Sequence, residues 1–402
     1  MNHRHTAIAE THTQRPPTSA PEFDLLLACA RTTPDAPRIR SLVQSGIDWR
    51  TFTALATFHS VRPLVYRSLQ SICWSDLPAP FQSEWHETAR SLTIKTLFIT
   101  GEMLRVTAEF RSARIPVAAL KGSLIAQLAY GDPALREFTD LDLLVHPSDL
   151  ARAMPVFERL GYRPAWDRDL ATITGFLRHV GECRLVNPQL DTDIDLHWRI
   201  STKAAALAPS LADFPSGFQP VTIAGATVLS LALSELPLYL ACQGGWDQWG
   251  DFRRLCDLAE FLRRYPHTDW QPSLAAARRL GGLRSMLTGL ELAARLLNAP
   301  TDAPVPAPAA PLIQRDPTVA ALAANTTRRL SQCHNPGEPI SRYRFQLKSK
   351  AGLPGKLALI WSICADRTAQ DAEWLKLPRP LWWLYTFLRP IRMSTKLRRR
   401  RA

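Results

Sequence analysis

One stretch restricts what this chain can fold into more than any other. It runs from Lys121 to Trp198, opening KGSLIAQLAYGDPALREFTDLDLLV and closing DTDIDLHW. Asp140 and Asp142 sit two apart in an apolar run of Leu141, Leu143, Leu144 and Val145. Side chains alternate with period 2 along a strand, so both carboxylates emerge on one face and Leu141 on the other. Asp195, between Ile194 and Leu196, has the same strand-like setting. Three acids held close on a sheet repel one another unless cations sit among them. Carboxylate oxygens suit Mg²⁺, which typically takes one or two protein carboxylates and completes its shell with substrate phosphate. The pattern predicts a nucleotidyl-transfer site with Asp140, Asp142 and Asp195 as metal ligands and catalytic acids.

The flanking sequence extends this reading. IPVAAL (115–120) has the composition of a buried strand and runs straight into Lys121-Gly122-Ser123, then a helix to about Tyr130. A strand, a small-residue turn and a helix start point backbone N–H groups and the positive helix end at a phosphate. Gly122 permits close approach, Ser123 offers a hydroxyl, and Lys121 and Arg136 are fixed positive charges suited to a triphosphate. Segments 182–188 and 192–200 read as a hairpin through Gln189-Leu190-Asp191, which puts Asp195 on a strand able to pair beside the DxD strand. Asp193 faces the same way and competes as third acid; Asp195 is preferred because apolar residues flank it on both sides. His197 shares that face and reads either as a substrate contact or as a structural histidine.

Composition sets the outer limits. The 402 residues are 46% hydrophobic, enough for a sizeable core in two or three domains. A formal net charge of +13 favours anionic partners: nucleotides, anionic lipid or nucleic acid. The seven cysteines are scattered without a CxxC pair, which argues against a zinc site or disulfide framework and fits a reducing cytoplasm. The N-terminus has no apolar h-region, and no run of about 18 apolar residues occurs.

The chain divides into a polar, disordered tail (1–21), a helical N-terminal domain (22–114), a core (115–224), a second helical domain (225–298), a Pro/Ala-rich linker region (299–340) and a C-terminal region (341–402). His59 and His86 fall on the N-terminal helices and read as packed or surface histidines. Residues 201–224 read as an irregular connection, and Gly244-Gly245 as an interruption in a helical stretch. Beyond Glu373 there is no acid, while aromatics stand beside a cationic cluster that ends in Arg398–Arg401. That pattern fits either an interfacial helix on the inner, anionic face of the membrane or a docked helix with a solvated basic tail. A nucleic-acid surface has no helix-turn-helix or RNP motif to support it.

These residues resemble the uncharacterised bacterial nucleotidyltransferase family of the polymerase-β-like superfamily. The likeness rests on the strand ending in Lys121-Gly122, the helix closing at Tyr130, Arg136, Asp140-Leu-Asp142-Leu-Leu-Val, Gly161-Tyr162 and Asp195-Leu-His197-Trp198. It extends to Trp249, Asp257 and Arg389-Pro-Ile-Arg392, so it spans roughly 23 to 392. The resemblance implies an α+β fold: a mixed sheet with flanking helices between mainly helical N- and C-terminal regions. It also implies two Mg²⁺ (or Mn²⁺) ions and a nucleoside triphosphate substrate such as ATP. The acceptor stays open among a sugar, a lipid-linked intermediate, a peptide and a protein side chain. Two rival readings share the DxD: a metal-dependent glycosyltransferase using a nucleotide-sugar, and a non-catalytic nucleotide-binding protein at the membrane surface.

Overall fold

In a computed structural model the described residues are 20–166, 168–177, 180–297, 305–332 and 339–399. The expected tail (1–21) lies almost wholly outside them, as do parts of the Pro/Ala-rich region and residues 400–402.

The centre is a seven-stranded mixed sheet in the order β3-β4-β5-β2-β1-β7-β6. Its strands are β1 (Val117–Ala119), β2 (Leu141–Val145), β3 (Arg163–Pro164), β4 (Glu182–Asn187), β5 (Thr192–His197), β6 (Phe218–Ile223) and β7 (Ala226–Leu231). β1 and β2 are antiparallel, and β5 lies parallel to β2 on its other side. The expected hairpin forms: β4 and β5 pair antiparallel, closing at Asn187 and Thr192.

Period-2 alternation sends the strand residues into two different cores. Val117, Ala119, Leu141, Leu143, Val145, Ile194 and Leu196 join one, with Met103, Val106 and Phe110 of the 34-residue helix Ala79–Ser112. Ala118, Leu120 and Leu144 join the other, which takes in the N-terminal helices and the helices of 236–297. The long helix feeds both: its Phe81 and Trp85 belong to the second core. Asp142 and Asp195 have the parity of Leu144, so they face the helical side.

Three parts of the chain differ from the sequence expectation. Residues 201–224 contain β6, which forms a hairpin with β7. The two-residue turn between them is Ala224-Gly225, both with positive φ (48° and 79°). That is the backbone of a tight primed turn, but alanine is a poor signal for it. Because β7 lies parallel beside β1, the sheet continues past residue 224. Second, Gly244-Gly245 does not interrupt its helix, which runs from Leu236 to Trp246. A Cβ at Gly244 or at Gly289 would collide with the Trp249 ring, and one at Gly245 with Ser285. The glycines are there for close packing, and Trp249, fully buried, donates from Nε1 to the Ser285 carbonyl at 2.9 Å. Third, the Pro/Ala-rich region contains the helix Pro317–Ser331, which buries Val319, Leu322 and Leu330 in the core. Among the described residues no helix is long and apolar enough to cross a membrane.

Candidate active site

β2 and β5 are in a register that places Asp142 directly beside Asp195, with Leu141 beside Ile194 and Leu143 beside Leu196. The leucines and Ile194 lock that register by burial on the opposite face, because a one-residue slip would turn every side chain over. Asp140, just ahead of β2, has the parity of Asp142, and their charges act on each other beside Lys121. The three predicted acids are thus brought together on one face.

Their charges do not balance. Lys121 Nζ lies 2.5 Å from Asp142 Oδ1, and His197 Nε2 lies 3.1 Å from the same oxygen. Burial alone would raise the Asp142 carboxyl, but Lys121 and the His197 hydrogen bond overcome it and hold the group well below the usual carboxylate range. Burial opposes the charged Lys121 ammonium too, and the Asp142 charge more than offsets that, so its affinity for a proton rises. The other two acids go the opposite way. Burial, then the neighbouring Asp142 and Glu182 charges, push Asp195 up to about 7. Burial and Asp142 likewise raise Asp140. The cluster carries more carboxylate than its cations neutralise.

His197 is locked between two acids, its Nδ1 3.2 Å from Glu182 Oε2. Burial works against its protonation, but the Asp142 hydrogen bond and the Glu182 charge raise it. Asp193, the competing third acid, is held by Arg184 at 2.6 Å. Ser123 is buried with its hydroxyl 3.0 Å from that of Thr100. It begins a helical segment of one α turn and one π turn that ends at Tyr130. Gly122, ahead of it, has φ 54° and ψ −126°, a conformation open essentially to glycine alone.

Arg136 takes a place different from the one expected. Its side chain is buried against Asp257, with Nε 2.9 Å from Oδ1 and Nη2 2.9 Å from Oδ2. Tyr130 donates to the same Oδ1 at 2.9 Å. Its guanidinium is committed to the scaffold and reaches the site through the charge it adds near Asp140.

The sequence reading missed Glu182 and Tyr239. Glu182 was within reach: with Asn187 opposite Thr192, the hairpin register puts Glu182 opposite His197. Tyr239 arrives from the helix Leu236–Trp246, far along the chain, and nothing local marks it. Its hydroxyl is buried without a hydrogen-bond partner, and burial together with the nearby Asp142 charge raises it above the usual tyrosine range.

The donors fit a hard divalent cation: they are carboxylate oxygens on adjacent strands, with negative charge in excess. Among the described residues no three His, Cys, Asp or Glu side chains already converge as a ready metal-binding group. Asp142 Oδ1 is turned to Lys121 and His197 instead. A cation on Oδ1 would compete with the Lys121 ammonium for that oxygen.

A family model described as an uncharacterised nucleotidyltransferase matches residues 45–298, more than half of the chain. The chain belongs to that family. No curated protein matches it. The matched span contains all seven strands and the whole acid cluster. The mixed sheet with helices on both faces is a nucleotidyltransferase fold, and membership of the family supports transferase activity at that coarse level.

Proposed function

We propose that the protein transfers a nucleoside monophosphate from a nucleoside triphosphate to a hydroxyl-bearing acceptor and releases pyrophosphate. The observation that carries this reading is the register of Asp142 beside Asp195, with Asp140 two residues away and with burial and the Asp142 charge raising both Asp140 and Asp195. Asp140, Asp142 and Asp195 would hold Mg²⁺ or Mn²⁺. A divalent cation bound there supplies charge neutralisation on the triphosphate and lowers the pKa of the acceptor hydroxyl.

The chain's own residues do the remaining work. Lys121, released from Asp142, turns its ammonium to the phosphates. Gly122 lets the backbone come close to them, and the Ser123 turn presents the start of the helix. His197, braced by Glu182, keeps Asp142 aimed. Arg136 holds the loop before Asp140 to the Asp257 helix. The acceptor hydroxyl gives up its proton to solvent, its oxygen attacks the α-phosphorus in line, the bond from that phosphorus to the bridging oxygen breaks, and pyrophosphate leaves. Orientation and electrostatics carry such a reaction, since little other chemistry is asked of the protein.

The test is incubation with each α-labelled nucleoside triphosphate, Mg²⁺ or Mn²⁺ and cell extract, followed by identification of the labelled product. Label transfer by the wild type and its loss in Asp195→Asn is the expected result. An Asp195→Asn protein that stays fully active, or consumption of a nucleotide-sugar without pyrophosphate release, sinks the reading in favour of a glycosyltransferase.

A further inference from the structure

The C-terminal helices carry an apolar surface that the transferase reading does not use. In the helix Leu353–Ala365, Leu353, Leu357 and Trp361 fall at i, i+4 and i+8 and form one stripe. Leu353 is 69% exposed and Trp361 64%. The inward side of the same helix is small, with Leu359 and Ile363 packing beside Ala204. On the helix Tyr385–Arg399, Phe387 is 62% exposed. Tyr385 and Trp382 anchor this end of the chain to Phe176, at ring separations of 5.3 and 5.0 Å. Between the two helices lies a groove of about 350 Å³ lined by Leu357, Ile360, Trp361, Cys364, Phe387 and Pro390 among others. Both helices are therefore fixed to the body by one side while turning large apolar side chains outward, the reverse of a surface helix in water.

Charge decides what covers this face. Beyond Glu373 the sequence has nine Lys and Arg and no Asp or Glu. Asp371 is buried and already bound by Arg389 and Arg392. Lys356, half-buried, adjoins Leu357 in the same helix. Lys396, Arg398 and Arg399 continue the helix that carries Phe387. A second copy of the chain placed face to face would bring two such cationic ends together. Exposed Trp, Phe and Leu on a region whose sequence ends in a run of Lys and Arg match the boundary of an anionic bilayer, where aromatics lie at headgroup depth and Lys and Arg meet lipid phosphates. The helices are too short to span.

We propose that this face docks the protein on an anionic membrane surface, lying on it with the Leu353–Ala365 and Tyr385–Arg399 helices against the headgroups. The proposal is independent of the transferase reading.

The test is co-sedimentation of the full-length protein with vesicles of phosphatidylglycerol and phosphatidylcholine, and with vesicles of phosphatidylcholine alone. Three proteins are compared: wild type, Trp361→Ser/Phe387→Ser, and Arg398→Gln/Arg399→Gln/Arg400→Gln/Arg401→Gln. The wild type binds the anionic vesicles at least tenfold more tightly than the neutral ones, 0.5 M NaCl releases it, and each variant loses tenfold or more. Circular dichroism melts confirm that the variants fold. Should the apolar variant unfold, quenching of wild-type tryptophan fluorescence by brominated phosphatidylglycerol reads the same contact. Equal binding to both vesicle types, or no binding to either, overturns the proposal. So does a wild-type dimer that becomes monomeric in Trp361→Ser/Phe387→Ser while no vesicle binding occurs, which would make the face a self-interface.

Discussion

Two buried ion pairs lie within each other's field here, Lys121 with Asp142 and Arg136 with Asp257. Arg136 meets Asp257 through two nitrogens, Tyr130 takes a further place on the carboxylate, and both side chains are 4% exposed. Each charge there has its partner and nothing is left over. Lys121 is one ammonium on one oxygen, 19% exposed, and its charge also acts on the Asp140 carboxylate. The planar guanidinium fork suits a permanent pair, while an ammonium on a flexible stem suits a pair that must open. Surplus acid distinguishes the site from the scaffold; the mere presence of a buried charge does not.

The contrast can be broken by substitution. Arg136→Ala leaves Asp257 buried without its countercharge, which should cost about 3–5 kcal/mol of stability in urea or thermal unfolding. A loss no greater than that of Asp142→Asn would end the distinction, because the Asp140 carboxylate still acts on Lys121 in that variant. Asp195→Asn sharpens the other side. It should lower label transfer by on the order of 10²–10³-fold, about 2.7–4 kcal/mol of transition-state stabilisation. Its stability at pH 8 should be unchanged or raised, because one of the mutually repelling carboxylates is gone. Gly122→Ala forces a side chain into the φ 54° turn between the two pairs, and should destabilise by about 1–3 kcal/mol in the same unfolding assay.

The smallest effect concerns a buried group whose burial the Asp251 charge does not offset. His59 Nε2 lies 3.0 Å from the Leu330 carbonyl, and burial pushes the imidazole down to about 4. The unfolded chain takes up that proton near pH 6.5, the folded chain only near 4. Stability from this residue is therefore present in full above about 6.5 and is lost as the pH falls towards 4. His59→Gln should flatten that part of the stability–pH curve, by roughly 1 kcal/mol at pH 5.5, as read from urea midpoints.

The site was more legible in the sequence than the scaffold around it. Period-2 alternation around Leu141 fixes the shared face of Asp140 and Asp142, and apolar flanks do the same for Asp195. A short hairpin connection leaves little freedom in where Asp195 stands. Arg136 could not be read the same way, since its partner lies 121 residues further on and a lone arginine near acids looks like a phosphate clamp. Gly244-Gly245 looked like a break because local propensity says nothing about a tryptophan returning from five residues on. The β6–β7 hairpin was hidden by Ala224, which takes the left-handed turn without being a residue that favours it. Local pattern reveals face and period, while partners brought by distant helices leave no trace in it.

The helix Ala79–Ser112 has a mechanical consequence. Its 34 residues form a rod of about 51 Å, with Phe81 and Trp85 planted in one core and Ile99 to Phe110 in the other. A shared strut of this kind ties the melting of the two cores together: fraying at one end removes a wall from the other. Limited proteolysis should accordingly release no surviving half-molecule, and the body of the protein should come apart in a single step.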